Sequence, residues 1–256
     1  MVSPGTTNAT RPGIRSSGPR LDPDAAAFVA LTGATDIEGI DEWAKGIKAL
    51  GYWSAMASYP MREAQNHTST AALRMLGGYT NTPGTLVNGP TRGANGIILA
   101  NGTQEITHNM PTVFPRSMFY IRNEQITSGS TNSVLCGVFG AGRFNLTSAG
   151  AMSFRAAYTP IINVENFQGW RSYAAIMGAG NSTHRVFINA QTTSAGSATG
   201  DTTGQNNNND RIAGLTGTIV GQTTVPMVIF FEGIAVDHVA VYNLYKATLG
   251  KGLGLP

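Results

Sequence analysis

The chain has 256 residues, of which only 12% are charged, about half the usual share, and its formal net charge is +3. So weak a positive balance, with no long Lys/Arg run, argues against a nucleic-acid partner, and no apolar stretch is long enough to span a membrane as a helix. Thirty-two glycines among many Asn, Thr and Ser residues point to a loop-rich β scaffold, and the sole cysteine, Cys136, excludes an intrachain disulfide.

Residues 1–20, MVSPGTTNATRPGIRSSGPR, contain three prolines, three glycines, three arginines and no acid. That composition cannot build a core, so it predicts an extended arm, and it lacks the apolar segment of a secretory signal. Because such an arm must lie against something else, Arg11, Arg15 and Arg20 are its candidate anchoring contacts to another subunit.

Residues 21–61 predict a helical cap. Asp22 is a natural N-cap with Pro23 behind it, Phe28 and Leu31 give a short apolar face, and Gly33 stops the turn, so a helix is expected over Asp22–Leu31. A second, over Asp36–Leu50, carries Ile40, Trp43, Ile47 and Leu50 on one stripe, with Asp41 four residues before Lys45 on the wet face. Trp43 and Trp53, with Tyr52, read as the apolar surface that seats the cap on a sheet or a neighbouring subunit.

Residues 62–256 predict one β domain. Asn101-Gly102 between Ile97–Ala100 and Thr103–His108 has the signature of a two-residue hairpin. Strands are then expected at Ser117–Arg122, Ser133–Phe139, Arg143–Thr147, Ala151–Tyr158, Trp170–Met177, His184–Asn189, Ile212–Val220 and Met227–Glu232. Alternation such as Met152, Phe154, Ala156 and Tyr158 implies antiparallel sheets with one wet face. A last helix follows, capped by Asp237, with Val241, Leu244, Tyr245 and Leu249 on one face and Gly250 as the stop. Short strands throughout, with helices only at the ends, give a mainly β, antiparallel two-sheet sandwich of jelly-roll type.

Glu105, Glu124, Glu165 and Glu232 are isolated from one another, without the i, i+2 pairing that would place two carboxyls on one strand face, so no catalytic residue and no enzyme are expected. No Cys/His spacing suggests a metal, and no cofactor motif is present. The stretch 191–210, QTTSAGSATGDTTGQNNNND, has no apolar side chain larger than alanine and reads as a long exposed loop. Within it Asp201, Asn206, Asn207, Asn208, Asn209 and Asp210 offer acceptors and amide donors to ligand hydroxyls, with Trp170 as an apolar floor for a sugar ring.

The run LDPDAAAF…TGATD…IDEWAKGIKALGYWSAMASYPM, together with VYNLYKATLG at 241–250, resembles a group of bacteriophage virion proteins. The resemblance covers only the two ends of the chain. It implies a short helical segment preceding a concanavalin-like (laminin-G-type) sandwich, with other capsid or tail subunits as partners. A homo-oligomer, surface glycan of a host as ligand, and no membrane are the further expectations. A tail-associated or fibre adhesin and a head decoration protein both fit this reading, and a glycan-cleaving enzyme of the same fold is the alternative.

Overall fold

The computed structural model describes residues 20–67, 72–79, 83–108, 115–126, 128–129, 133–138, 142–146, 152–156, 162–165, 168–178, 182–200, 211–214 and 219–256. Helices α1 (Pro23–Thr32) and α2 (Ile37–Ala49) come first. They lead into β1 (Met56–Pro60), β2 (Ala72–Leu73), β3 (Gly84–Val87), β4 (Thr91–Gly93), β5 (Gly96–Leu99) and β6 (Glu105–Thr107). The middle of the chain supplies β7 (Pro115–Glu124), β8 (Ser128–Gly129), β9 (Ser133–Val138), β10 (Gly142–Leu146), β11 (Met152–Ala156) and β12 (Ile162–Glu165). Then come β13 (Gly169–Ile176), β14 (Ser182–Ile188), β15 (Gly196–Gly200), β16 (Arg211–Gly214), β17 (Ile219–Val220), β18 (Thr223–Glu232) and α3 (His238–Ala247).

Two eight-stranded sheets carry the fold. The first runs β15-β14-β13-β7-β18-β5-β4, with β1 also paired to β18, and the second runs β12-β11-β10-β9-β16-β6-β3-β2. Every pairing among the described residues is antiparallel, as the alternation required. Met118 and Tyr120 of β7 and Val228 and Phe230 of β18 point into the space between the sheets, where they meet Phe144, Phe154 and Ile212 of the second sheet.

The first sheet is buried on its other face as well. Phe119, Ile121, Met227, Ile229 and Phe231 point outward into a second cluster with Phe28, Ile40, Trp43, Ile47, Val241 and Tyr245 of the helices. The molecule is therefore three layers, helices on sheet on sheet, and the expectation of one wet face per sheet fails for the first sheet. This double burial explains why TTVPMVIFFE in β18 is almost continuously apolar, while β10 and β11 of the second sheet alternate.

Helix ends follow local chemistry. The Asp22 carboxylate accepts from the Asp24 and Ala25 N–H groups, Gly33 closes α1 in the left-handed conformation (φ 67°), and Asp36 and Asp237 cap α2 and α3. Lys48 on α2 joins the two N-terminal helices, its ammonium 2.6 Å from Asp22 and 2.5 Å from Asp24. The Asp22 N–H donates to Asp41 (2.6 Å), which also holds Lys45 (2.6 Å). Gly46 has no side chain for a reason: a Cβ there would lie 2.5 Å from Leu244, so its absence lets α3 close on α2. Trp43 is fully buried and meets Tyr245 edge-on, with ring centroids 6.2 Å apart.

Four local expectations are corrected by this arrangement. The Asn101-Gly102 pair does not make a hairpin, because β5 lies in the first sheet and β6 in the second. Asn101 instead accepts from the Thr103 N–H (3.1 Å), an Asx turn that carries the chain between sheets, whereas Asn88-Gly89 is the pair with both φ positive (59° and 64°). The stretch 191–210 is not all loop: Gly196–Gly200 forms the edge strand β15, paired with β14 through the backbone and a Thr183–Thr199 hydroxyl contact (3.2 Å). The strand expected over Ile212–Val220 divides into β16 and β17, and β1, placed with the cap by its sequence position, belongs to the sandwich through β18.

Candidate binding cleft

At the end of the first sheet, beside the N-terminus of α3, three strands and a loop surround a cleft of about 210 Å³. In β14 the alternation turns His184, Val186 and Ile188 inward and leaves Thr183, Arg185 and Phe187 on the outer face. Arg185 pairs in register with Ile176 of β13, which pairs with Ser117 of β7, so Arg116 is brought to the same end. Gly178 lies against the start of β14, where a Cβ on it would lie 1.9 Å from Ser182 Oγ.

The loop between β18 and α3 completes the wall. Ser117 Oγ donates to the Ile234 carbonyl (2.9 Å) and accepts from the Val236 N–H (3.1 Å), which fixes Ala235 and Val236 at the cleft. His238, the first residue of α3, stacks on Phe187 with ring centroids 3.9 Å apart and planes at 23°. Its Nε2 donates to the Gln191 carbonyl (2.8 Å), so in the neutral ring the lone pair sits on Nδ1.

The result is a floor of Ile176, Val236 and Phe187 beneath two guanidinium groups, an imidazole and the Thr183 hydroxyl. No Asp or Glu among the described residues lines it. Arg116 Nε donates to the Met177 carbonyl (3.3 Å), which steadies one arginine, while Arg185 is exposed. Such a group of donors over an apolar floor suits a ligand with oxygen acceptors on one side and C–H surface on the other.

A second cleft of about 210 Å³, lined by Asp36, Glu38, Glu42, Arg62, Thr248 and Lys251, is built for structure. Arg62 there binds the Leu249 and Lys251 carbonyls (3.0 Å each), tying the C-terminal turn to the cap, and Asp36 is committed as a helix cap. Among the described residues no group of His, Cys, Asp and Glu could hold a metal ion. Cys136 is buried and its thiol pKa is pushed up by that burial, as fits an apolar packing role.

Of the residues singled out in the sequence, Asp201, Asn206, Asn207, Asn208, Asn209 and Asp210, with Arg11 and Arg15, lie outside the described residues. Trp170 packs on the helix-side cluster at the start of β13. Gly200, where the 201–210 segment begins, pairs with Ser182 near the other end of β13, about 20 Å away along the strand, so Trp170 is no floor for that end of the segment. Arg20 is exposed, and its carbonyl accepts from Lys45 (3.3 Å). Trp43 cannot anchor a neighbouring subunit, because it is sealed against Tyr245 within this molecule. Trp53 is half-buried, with the Lys48 ammonium 4.7 Å above its ring.

The acids stay apart. Glu124 is sealed between the sheets in an ion pair with Arg122 and accepts from the Gln125 and Ile126 N–H groups (3.0 and 2.7 Å). Glu105 meets Arg211 (3.2 Å) on the second sheet, and Glu232 ends β18 at the pole opposite Thr223, the partner of Glu124. The Glu165 side chain lies outside the described set.

No protein-family model matches the chain, and no curated protein matches it. Among solved structures it is similar to a Trypanosoma rangeli sialidase in complex with 2,3-difluorosialic acid, at 7% identity and a TM-score of 0.52, over 82% of this chain and 38% of that one. Domain 4 of AbnA, a GH43 extracellular arabinanase from Geobacillus stearothermophilus, in complex with arabinotriose, aligns at 12% identity and a TM-score of 0.35, over 74% of this chain and 87% of that one. The chain thus spans well under half of the sialidase, and what the two share is the β-sandwich fold. This finding overturns the expectation that the chain is no enzyme. The same architecture occurs within a glycoside hydrolase, so acids that are scattered in sequence give no ground for excluding catalysis.

Proposed function

We propose that this chain is a phage-type virion protein whose β-sandwich engages glycan, with residues 1–20 and the helical cap toward the particle. The fold fits a carbohydrate-binding or glycan-cleaving sandwich. The observation that carries the virion part is the single layer made by the two chain ends that resemble such proteins. Trp43 and Gly46 of α2 close on Tyr245 and Leu244 of α3, so segments about two hundred residues apart act as one helical unit. The glycan part is supported by the Arg116–Arg185–His238 cleft. Among the described residues no helix is long and apolar enough to cross a membrane.

Two measurements test this reading. Gold-labelled antibody against the chain should decorate particles purified from a lysate carrying its gene, and absence from those particles would refute the virion assignment. Purified protein on a glycan array should retain defined glycans, with new reducing ends assayed in parallel to tell binding from cleavage. Retention of none and cleavage of none would refute the glycan assignment.

A further inference from the structure

We infer that the Arg116–Arg185–His238 cleft takes the carboxylate of an acidic sugar; this rests on the glycan reading above and names its substrate class. Arg116, Arg185 and Thr183 line the cleft as hydrogen-bond donors beside His238, and none of the described lining residues is an acid that would neutralise them. Planar guanidinium groups match a carboxylate with paired N–H donors, and a group held in place gives up less freedom on binding than a mobile one. Arg116 is such a group, since Nε is fixed to the Met177 carbonyl (3.3 Å) while Nη1 and Nη2 remain for a ligand.

The rest of the cleft argues for a sugar over a simple anion. Ile176, Val236 and Phe187 form an apolar floor that a bare anion would not use but the C–H face of a pyranose would cover. His238 is held in one orientation by its stacking on Phe187 and its bond to Gln191, which leaves Nδ1 to accept from a hydroxyl. A carboxylate on the two arginines with a neighbouring hydroxyl on His238 places one acidic sugar ring over that floor. Long-range attraction to the two guanidinium groups speeds capture and makes binding sensitive to salt.

The test uses the full chain on an array of uronic- and nonulosonic-acid glycans printed beside their methyl-esterified forms, which keep the sugar and lose the charge. Carboxylated forms should be retained and esterified forms should not. Arg185→Glu, at an exposed position, should weaken retention roughly tenfold or more with an unchanged melting temperature. Arg116→Gln should do the same with a fold checked by circular dichroism. Acetate at matched ionic strength should compete far less well than the free acidic monosaccharide; equal competition would reduce the site to one for any carboxylate and overturn the sugar assignment. Equal retention of esterified glycans, or full retention by Arg185→Glu, would overturn the carboxylate role and leave the glycan reading standing. Retention of no glycan at all would overturn both.

Discussion

The imidazole of His238 lies flat on the ring of Phe187, 3.9 Å between centroids, and so joins the first turn of α3 to the outer face of β14. Phe187 is buried and His238 half-exposed, so the two should answer differently to truncation. Phe187→Ala is expected to cost about 3–5 kcal/mol of stability, the range for a buried aromatic. His238→Ala should cost under about 1 kcal/mol and still weaken glycan retention. Urea unfolding and array binding on the same preparations would check this. If His238→Ala retains every glycan at wild-type strength, the histidine is no part of the site.

Trp43 and Trp53 separate seating from anchoring. Trp43 is fully buried against Tyr245, so Trp43→Ala should lower stability by about 3–5 kcal/mol. Trp53 is half-buried beneath Lys48, and its loss should cost about 1–2 kcal/mol. Thermal melts of the two variants give the comparison, and equal shifts would contradict the placement of Trp43 inside the helical layer.

The cap carries a defined acid sensitivity. Burial alone would raise the Asp22 carboxyl, but hydrogen bonds from Lys48 and from the Asp24 and Ala25 N–H groups outweigh it and hold the pKa below the ordinary 3.8. Burial likewise opposes, and bonds from Lys45 and the Asp22 N–H overcome, in Asp41, which is also lowered. Carboxyls with depressed folded pKa values stabilise fully above the unfolded value, and that stability is lost as pH falls through the folded one. Lys48, raised above 10.5 by the same partners despite its burial, loses its share only as pH rises beyond that value. The contribution is thus flat across neutral pH and falls below about pH 4. Asp22→Asn keeps a good helix cap and loses the ion pair, so it should cost under about 1 kcal/mol at pH 7, whereas Asp22→Ala should cost about 1–2 kcal/mol. Urea titrations at pH 7, 4 and 3 would show wild type and Asp22→Asn converging on acidification. A constant gap would contradict the ion-pair account.

Deleting residues 2–20 should leave the melting temperature and circular dichroism unchanged and release the protein from particles, since Arg11, Arg15 and Arg20 are proposed to make the anchoring contacts. Quantitative blotting of purified particles reads the result. Incorporation of the truncated chain at normal occupancy would place anchoring elsewhere, on the cap itself.

How far the structure was legible follows from the range of each signal. The caps Asp22, Asp36 and Asp237 and the stop at Gly33 act within a few residues, and the helices start and stop where those residues put them, whereas α3 ends at Ala247 with Thr248 as its cap, ahead of the expected stop at Gly250. Alternation in Arg143–Thr147 and Ala151–Tyr158 marked β10 and β11 because their outer face is not covered by helices. Which strand joins which sheet is a long-range matter, so the local signature at Asn101-Gly102 could not reveal that β5 and β6 part company. The cleft was illegible for the same reason. Arg116 and His238 are more than a hundred residues apart, and only the pairing of β18 with β7 and the bonds from Ser117 to Ile234 and Val236 bring them to one end. The HRVF stretch at 184–187 did contain a hint, since its alternation sets Arg185 and Phe187 on one face. Trp170 misled because an aromatic at a strand start looks the same in sequence whether it faces solvent or, as here, a helical layer.

The central claim is that this sandwich engages glycan from the surface of a particle through the cleft at Arg185. Its most direct test is the adsorption of particles carrying wild-type chain or Arg185→Glu, matched for chain content, to host cells over a range of salt. The account predicts equal incorporation, strong and salt-sensitive adsorption for wild type, and adsorption reduced roughly tenfold or more for the variant. Identical adsorption by both particles would contradict it.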